Sequence, residues 1–170
     1  DLINKKNVGK ENMFTYPVIL LLDNVRSVQN VASLFRIADC VGVQKIVLGG
    51  ITPGPVDRFN RPRKDFTKIS LGAEKSVGWE SAENIPAIIR KYKKEGYAIV
   101  ALEQSAKSTP YTKYKMKQPT LIIVGTEVDG VSKEVLKLCA THLEIPMVGK
   151  KESLNVAVAT SVLLFQLRDN

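Results

Sequence analysis

The chain has 170 residues of which 44% are hydrophobic, enough for one ordinary domain with a real core and too much for a disordered chain or a stapled miniprotein. Lys plus Arg total 25 against 17 Asp plus Glu, a formal charge of +8, which favours a polyanionic partner such as nucleic acid over an acidic-protein role. Cys40 and Cys139 lie in apolar stretches with no Cys or His at ligand spacing, and no apolar run approaches the roughly 20 residues that span a bilayer. A disulfide framework, a metal centre and a membrane helix are therefore poor readings, and reduced thiols with no signal-peptide core in residues 1–10 lead us to expect a cytoplasmic protein.

In chain order, Val- and Ile-rich runs at 18–22, 46–48, 98–102, 121–124 and 142–145 alternate with segments of helical pattern, as buried parallel strands do in an α/β fold with a mostly parallel sheet flanked by helices. The first intervening helix places Val31, Leu34, Phe35, Ala38 and Val41 on one face, leaves Ser33 and Arg36 on the other, and has Gly42 as a stop. A second helix is expected over 83–94 with Pro86 in its first turn, and a third from a Ser132 cap to about Cys139. The last helix, 153–167, is apolar all round its circumference. Such a helix is covered on more than one side, which favours a homodimer over a monomer.

Two segments carry concentrated positive charge. Residues 52–68 hold Arg58, Arg61, Arg63, Lys64 and Lys68 against Asp57 and Asp65, and residues 107–117 set four lysines, Lys113, Lys115 and Lys117 among them, around Tyr111 and Tyr114. Charge mixed with stacking surface suits single-stranded RNA. The plainer reading of each is a solvated face.

Ligands of open α/β sheets bind beyond the carboxyl ends of the strands. The residues that follow the runs are Asp23-Asn24-Val25-Arg26, Gly49-Gly50, Glu103-Gln104, Gly125-Thr126-Glu127 and Pro146-Met147. Neither a dinucleotide fingerprint nor a GK[ST] phosphate loop occurs, which disfavours ordinary nicotinamide enzymes and P-loop NTPases. Ser153 has no G-x-S-x-G elbow and His142 begins an apolar strand, so a hydrolase triad is also a poor reading. From spacing alone the chain is a basic α/β domain that binds a small ligand beside RNA.

Three segments go further. LDNVRSVQNVASLFRIADCVGV contains Asn30 and Arg36; IIVGTEVDGVS contains Gly125, Glu127 and Gly130; IPMVGKKESLNVAVAT contains Ile145, Pro146, Met147, Ser153, Leu154 and Asn155. In this order and spacing they resemble the motifs of the SpoU/TrmH family of RNA ribose 2′-O-methyltransferases, in the SPOUT superfamily. Ala32, Ala157 and Asp129 depart from that pattern and leave its polar residues in place.

The resemblance implies a SPOUT-type fold with a carboxyl-terminal deep trefoil knot, a homodimer, no metal, and S-adenosylmethionine as methyl donor to a ribose 2′-hydroxyl of tRNA or rRNA. It further implies one methyltransferase domain over 1–170, with a short extension at 1–16 and no separate amino-terminal RNA-binding domain. Leu102, Glu103, Gln104, Val124, Gly125, Thr126, Gly130, Ile145, Pro146, Met147, Ser153, Leu154 and Asn155 become the expected cofactor residues, with Leu102, Ile145 and Leu154 around the adenine. The expected catalytic set is Arg36, Asn30, Glu127, Ser153 and Asn155. Arg36 matches the family's proposed base, yet a guanidinium of pKa above about 12 suits a phosphate-holding role as well. Arg26, Arg58, Arg61, Arg63, Lys64, Lys113 and Lys115 are the expected RNA contacts. The competing readings are a noncatalytic RNA-binding module of the same fold and a small-molecule methyltransferase.

Overall fold

A computed structural model describes residues 13–170, so most of the expected extension at 1–16 lies outside the described residues. Seven strands, β1 (Val18–Asp23), β2 (Lys45–Gly49), β3 (Gly78–Ala82), β4 (Ala98–Leu102), β5 (Thr109–Pro110), β6 (Thr120–Val124) and β7 (Thr141–Glu144), form one sheet in the order β3-β2-β1-β6-β4-β7-β5. Every pairing is parallel. The helices are α1 (Val28–Val41), α2 (Lys64–Ser70), α3 (Ile85–Lys94), α4 (Lys133–Leu136) and α5 (Val156–Asp169).

The period-2 alternation of strand side chains divides the core between two layers. Leu20 and Leu22 of β1 face a cluster with Val31, Leu34 and Phe35 of α1 and Leu163, Leu164 and Leu167 of α5. Ile19 and Leu21 face the other way, toward Ile85, Ile89 and Tyr92 of α3 and Val135 of α4. The central strands β1 and β6 are buried on both faces along their whole length, which explains their unbroken apolar runs.

Local signals set the helix ends. Ser27 Oγ accepts from the Asn30 backbone N–H at 3.2 Å to open α1, and Gly42, at φ 90°, closes it by donating to the Ala38 carbonyl. In α3 the cap is Asn84, whose Oδ1 accepts from the Ala87 N–H at 2.9 Å, with Pro86 in the first turn as expected. The other two expected helices differ from their sequence reading. Ser132 makes no side-chain cap; its backbone N–H donates to Asp23 Oδ2 at 2.8 Å, and α4 ends at Leu136 in tightened turns from Leu138 to Val135 and from Cys139 to Leu136. The last helix starts at Val156, not Ser153, because Asn155 is its cap.

Three elements fall where no apolar run announces them. β5 is a two-residue edge strand paired only to β7. β3 is an edge strand of half-exposed residues paired only to β2, and α2 lies inside the segment read as a basic loop. Phe66 of α2 is fully buried and packs edge-on to Phe35, ring centroids 5.2 Å apart, so Lys64 and Lys68 belong to the outer face of a docked helix. Among the described residues no helix is long and apolar enough to cross a membrane.

Segment 145–155 joins β7 to α5, and α5 packs on α1. The chain therefore returns across the carboxyl ends of β4 and β6, where three loops meet.

Candidate active site

Those loops line an open cleft of about 220 Å³, with Leu102, Glu103 and Gln104 at the end of β4, 124–130 at the end of β6, and Glu144, Ile145, Met147, Ser153 and Leu154 at the end of β7 and beyond it. It is the crevice position that open α/β sheets use for ligands. Of the residues expected to hold a cofactor, Pro146 alone in its loop does not line the cleft, and Asn155 lies in the neighbouring groove between α1 and α5. Val128, Asp129 and Val156, inside the motif loops expected to form the pocket, also line it, and so do Glu144 and Ala159, which the sequence reading missed; these two adjoin the expected loops in the chain, which is the only signal that could have found them.

The β6 loop is shaped by backbone. Thr126 and Gly130 exchange N–H···O=C bonds at 3.2 and 2.9 Å, and the Asp129 N–H donates to Thr126 Oγ1 at 2.9 Å. A Cβ on Gly125 would collide with the Gly130 carbonyl, and Gly130, at φ 65°, has the Glu103 carboxylate where its own Cβ would be. Glu103 spans the two loops, accepting from the Val131 N–H at 2.7 Å and the Gln104 N–H at 2.9 Å. Its carboxylate is thus a brace for the cleft wall. Gln104 donates to the Glu152 carbonyl at 2.9 Å and ties in the third loop.

At the rim, three side chains far apart in sequence form a closed polar cluster. Asn155 Nδ2 donates to Glu127 Oε1 at 2.8 Å and to Asn30 Oδ1 at 3.0 Å, while Asn30 Nδ2 donates to the same Glu127 oxygen at 3.0 Å. Asn155 Oδ1 meanwhile accepts from the Ala157 and Val158 N–H groups, at 2.9 and 3.3 Å. Capping α5 and joining the cluster are therefore one role. Glu127 accepts from two side-chain amides and makes no ion pair among the described residues. Ser153 stands exposed on the cleft wall, outside the cluster.

Arg36 is not brought into this cluster. It is exposed on α1, six residues from Asn30, or about 9 Å along the helix axis, and has no hydrogen bond or ion pair among the described residues. Arg26 follows β1 at the same end of the sheet, beside Glu127 and Asp129. Arg61 and Arg63 are each paired, to Asp57 at 2.8 Å and Asp65 at 3.2 Å.

The second basic segment departs from its sequence reading. Lys113, Lys115 and Lys117 line a groove with Ala98 and Thr141, the first residues of β4 and β7, at the end of the sheet opposite the cleft. Tyr111 and Tyr114 pack against the core cluster, and burial raises the Tyr114 hydroxyl above its ordinary pKa. Both rings are partly buried and anchor the segment to the core.

The remaining candidates for chemistry are structural. His142 sits between Ser105 Oγ, 2.9 Å from Nδ1, and the Leu136 carbonyl, 3.1 Å from Nε2. Cys139 donates to the Val135 carbonyl at 3.3 Å, and burial, then the Asp23 charge, pushes its thiol up to about 12. No group of three or more His, Cys, Asp or Glu able to hold a metal occurs among the described residues. Asp23 is a buried structural residue that the sequence placed at the crevice without a role: it receives the Ser132 N–H and the Asn24 amide.

Comparison with known proteins agrees with this geometry. The model of the SpoU rRNA Methylase family matches residues 17–165. The chain is 31% identical over 149 residues to the tRNA (guanosine(18)-2′-O)-methyltransferase of Aquifex aeolicus, covering 88% of this chain and 67% of that one. To the 23S rRNA (guanosine(2553)-2′-O)-methyltransferase RlmP of Bacillus subtilis it is 31% identical over 164 residues, covering 95% and 62%. The A. aeolicus TrmH/SpoU tRNA modifying enzyme superposes with a TM-score of 0.79 at 28% identity, over 93% of this chain and 77% of that one. An AdoMet-bound rRNA methyltransferase from Sinorhizobium meliloti gives 0.81 at 26% identity, over 92% and 57%. The chain thus spans between about half and three-quarters of the length of these proteins. With its three motif segments gathered around one cleft and the family model matched almost end to end, the chain belongs to the SpoU rRNA Methylase family.

Proposed function

We propose that this chain transfers the methyl group of S-adenosylmethionine to a ribose 2′-hydroxyl of RNA. The observation that carries the reading is the convergence of Asn30, Glu127 and Asn155, one from each motif segment, on the rim of the β4–β6–β7 cleft. The cleft suits the cofactor chemically. Leu102, Ile145 and Leu154 offer apolar surface for an adenine ring, and the backbone-built Gly125–Gly130 wall allows close approach. Glu103, Glu127, Asp129 and Glu144 give a chain of net charge +8 an acidic cleft. Carboxylates attract a cationic sulfonium and repel a polyanion, so RNA is admitted at the rim only.

When bound, S-adenosylmethionine supplies an electrophilic methyl group. The transfer would make the O–CH₃ bond at the expense of the S–CH₃ bond, leaving the neutral thioether product and passing the hydroxyl proton to water, and it would require no metal. The protein's part is positioning. Asn30 and Asn155 hold Glu127 in place, Ser153 faces the cleft, and Arg36, partnerless among the described residues, is free to grip a phosphate next to the target ribose. The noncatalytic alternative has no use for a polar cluster of this kind at the mouth of a cleft, and a small-molecule methyltransferase has none for the exposed Arg26 beside Glu127. Calorimetry should detect S-adenosylmethionine without RNA, and labelled cofactor with unmodified total RNA should yield a mapped 2′-O-methylribose. No heat at millimolar ligand would leave the noncatalytic module as the better reading.

The homodimer and the knot belong to the same proposal. α5 buries Leu163, Leu164 and Leu167 in its own core but leaves Val158 48% and Phe165 38% exposed, on a face that continues into the α1 groove at Ile37 and Ser161. A second copy covering that face accounts for it. Leu163, fully buried, would report folding rather than assembly. Val158→Glu with Phe165→Glu is therefore expected to halve the sedimentation mass while the circular dichroism stays native. A wild-type mass near 18.8 kDa would refute the dimer. What supports the knot is the return of segment 145–155 from β7, past β4 and β6, to a helix that packs on α1.

A further inference from the structure

The hairpin after β2 has a feature the proposed reaction does not use. Phe59 is 60% exposed, and the next most exposed aromatic among the described residues, Phe165, only 38%. An isolated exposed apolar side chain needs no explanation; this one is presented by a loop organised in detail around it. Val56 and Pro62 bridge the hairpin, and the Asp57 N–H donates to the Arg61 carbonyl at 2.9 Å. The Asp57 carboxylate accepts from the Phe59 and Arg61 N–H groups, at 2.8 and 3.0 Å, and from the Arg61 guanidinium at 2.9 Å. The Arg61 backbone donor, with its guanidinium behind it, holds the Asp57 carboxyl below the usual carboxylate range, so the brace is intact at neutral pH. Asn60 takes the left-handed conformation, φ 61°, that turns the tip. The guanidinium carbons of Arg58 and Arg61 lie 4.7 and 5.0 Å from the Phe59 ring centroid.

We propose that Phe59, flanked by Arg58 and Arg61, is a stacking platform for an unpaired RNA base beside the methylation site. An aromatic face and guanidinium planes are the two surfaces on which proteins stack splayed RNA bases, and both occur here in one rigid unit at the cationic tip of a hairpin leaving the carboxyl end of β2. Phosphates on either side of such a base would meet Arg58 and Arg63. Tyr111 and Tyr114, the sequence's own candidates for stacking, are partly buried against the core, and Phe59 is the most exposed aromatic side chain among the described residues. This inference rests on RNA being the substrate, and it assigns the preference for unpaired over paired RNA to one side chain.

The test compares wild type with Phe59→Ala, Phe59→Leu and Phe59→Tyr, all checked for an unchanged thermal midpoint and S-adenosylmethionine affinity. Each is titrated with a mixed-sequence single-stranded RNA about a dozen nucleotides long and with the duplex it forms with its complement. Alanine should weaken single-strand binding about tenfold, as loss of one stacked base does, and duplex binding less than about twofold. Tyrosine should restore affinity and leucine should not. The ratio of alanine to wild-type affinity should stay constant as salt rises, while both affinities fall. Equal losses on both RNAs, leucine matching phenylalanine, or no loss at all would overturn the platform and leave the methyltransferase reading intact. Wild type that binds S-adenosylmethionine and neither RNA would overturn both.

Discussion

Arg36→Ala is expected to slow single-turnover ribose methylation by at least about a hundredfold, with fold and S-adenosylmethionine affinity nearly unchanged. The side chain is exposed on α1, its helix is held by the opposite face through Val31, Leu34, Phe35 and Ala38, and it lines no wall of the cofactor cleft. Its removal therefore costs neither packing nor cleft shape. What it takes away is a motif cation that has no hydrogen bond or ion pair among the described residues. A guanidinium does not release its proton near neutral pH, so the effect is best understood as loss of a planar clamp that fixes a phosphate and, through it, the ribose hydroxyl. Lysine at this position keeps the charge and loses the two-pronged geometry, and little rescue is expected. Wild-type turnover in the alanine variant, measured by quench-flow with saturating cofactor, would remove Arg36 from the reaction.

Five of the seven strands, the stop at Gly42, the place of Pro86 in the first turn of α3 and the crevice residues were legible because each rests on local chemistry that the sequence displays. The Asn155 cluster was legible only in part. Its residues could be named from the motif resemblance, but helical spacing suggests no more than a cap for Asn155, and the cap turned out to be what aims Nδ2 at Asn30 and Glu127. Glu103 illustrates the reverse: it stands in the cofactor loop as expected, yet its oxygens are engaged by backbone donors from Gln104 and Val131, a pairing across 28 positions that no pattern in the chain announces. Charge is the least legible signal. Arg61 and Lys113 look alike in sequence, but the parallel sheet sends one out from the carboxyl end of β2 and the other to the amino ends of β4 and β7. Which end of a sheet a basic segment reaches depends on the whole topology, and Tyr114 shows that an aromatic among lysines can be an anchor facing inward.

Gly125→Ala is expected to raise the S-adenosylmethionine dissociation constant by at least about a hundredfold, the scale of loss that follows when a site is displaced by about 1 Å. A methyl group there would overlap the carbonyl of Gly130 and crowd the Val131 nitrogen, and both are backbone atoms with no rotamer to escape through. The loop must open. Opening separates the paired N–H and C=O groups of Thr126 and Gly130 and pulls the Val131 N–H from Glu103, which loosens the β4 wall as well as the β6 wall. The cost to the fold is that of overpacking one site, about 1–3 kcal/mol, so the variant should remain folded with a lowered melting temperature. Gly149→Ala is the control: it lies in the third loop of the same cleft, where a Cβ meets nothing within 4 Å, and both affinity and stability should stay at wild-type values. Wild-type affinity in the Gly125 variant would mean that the backbone of 125–130 does not shape the cofactor site, and the cleft assigned to S-adenosylmethionine would have to be given up.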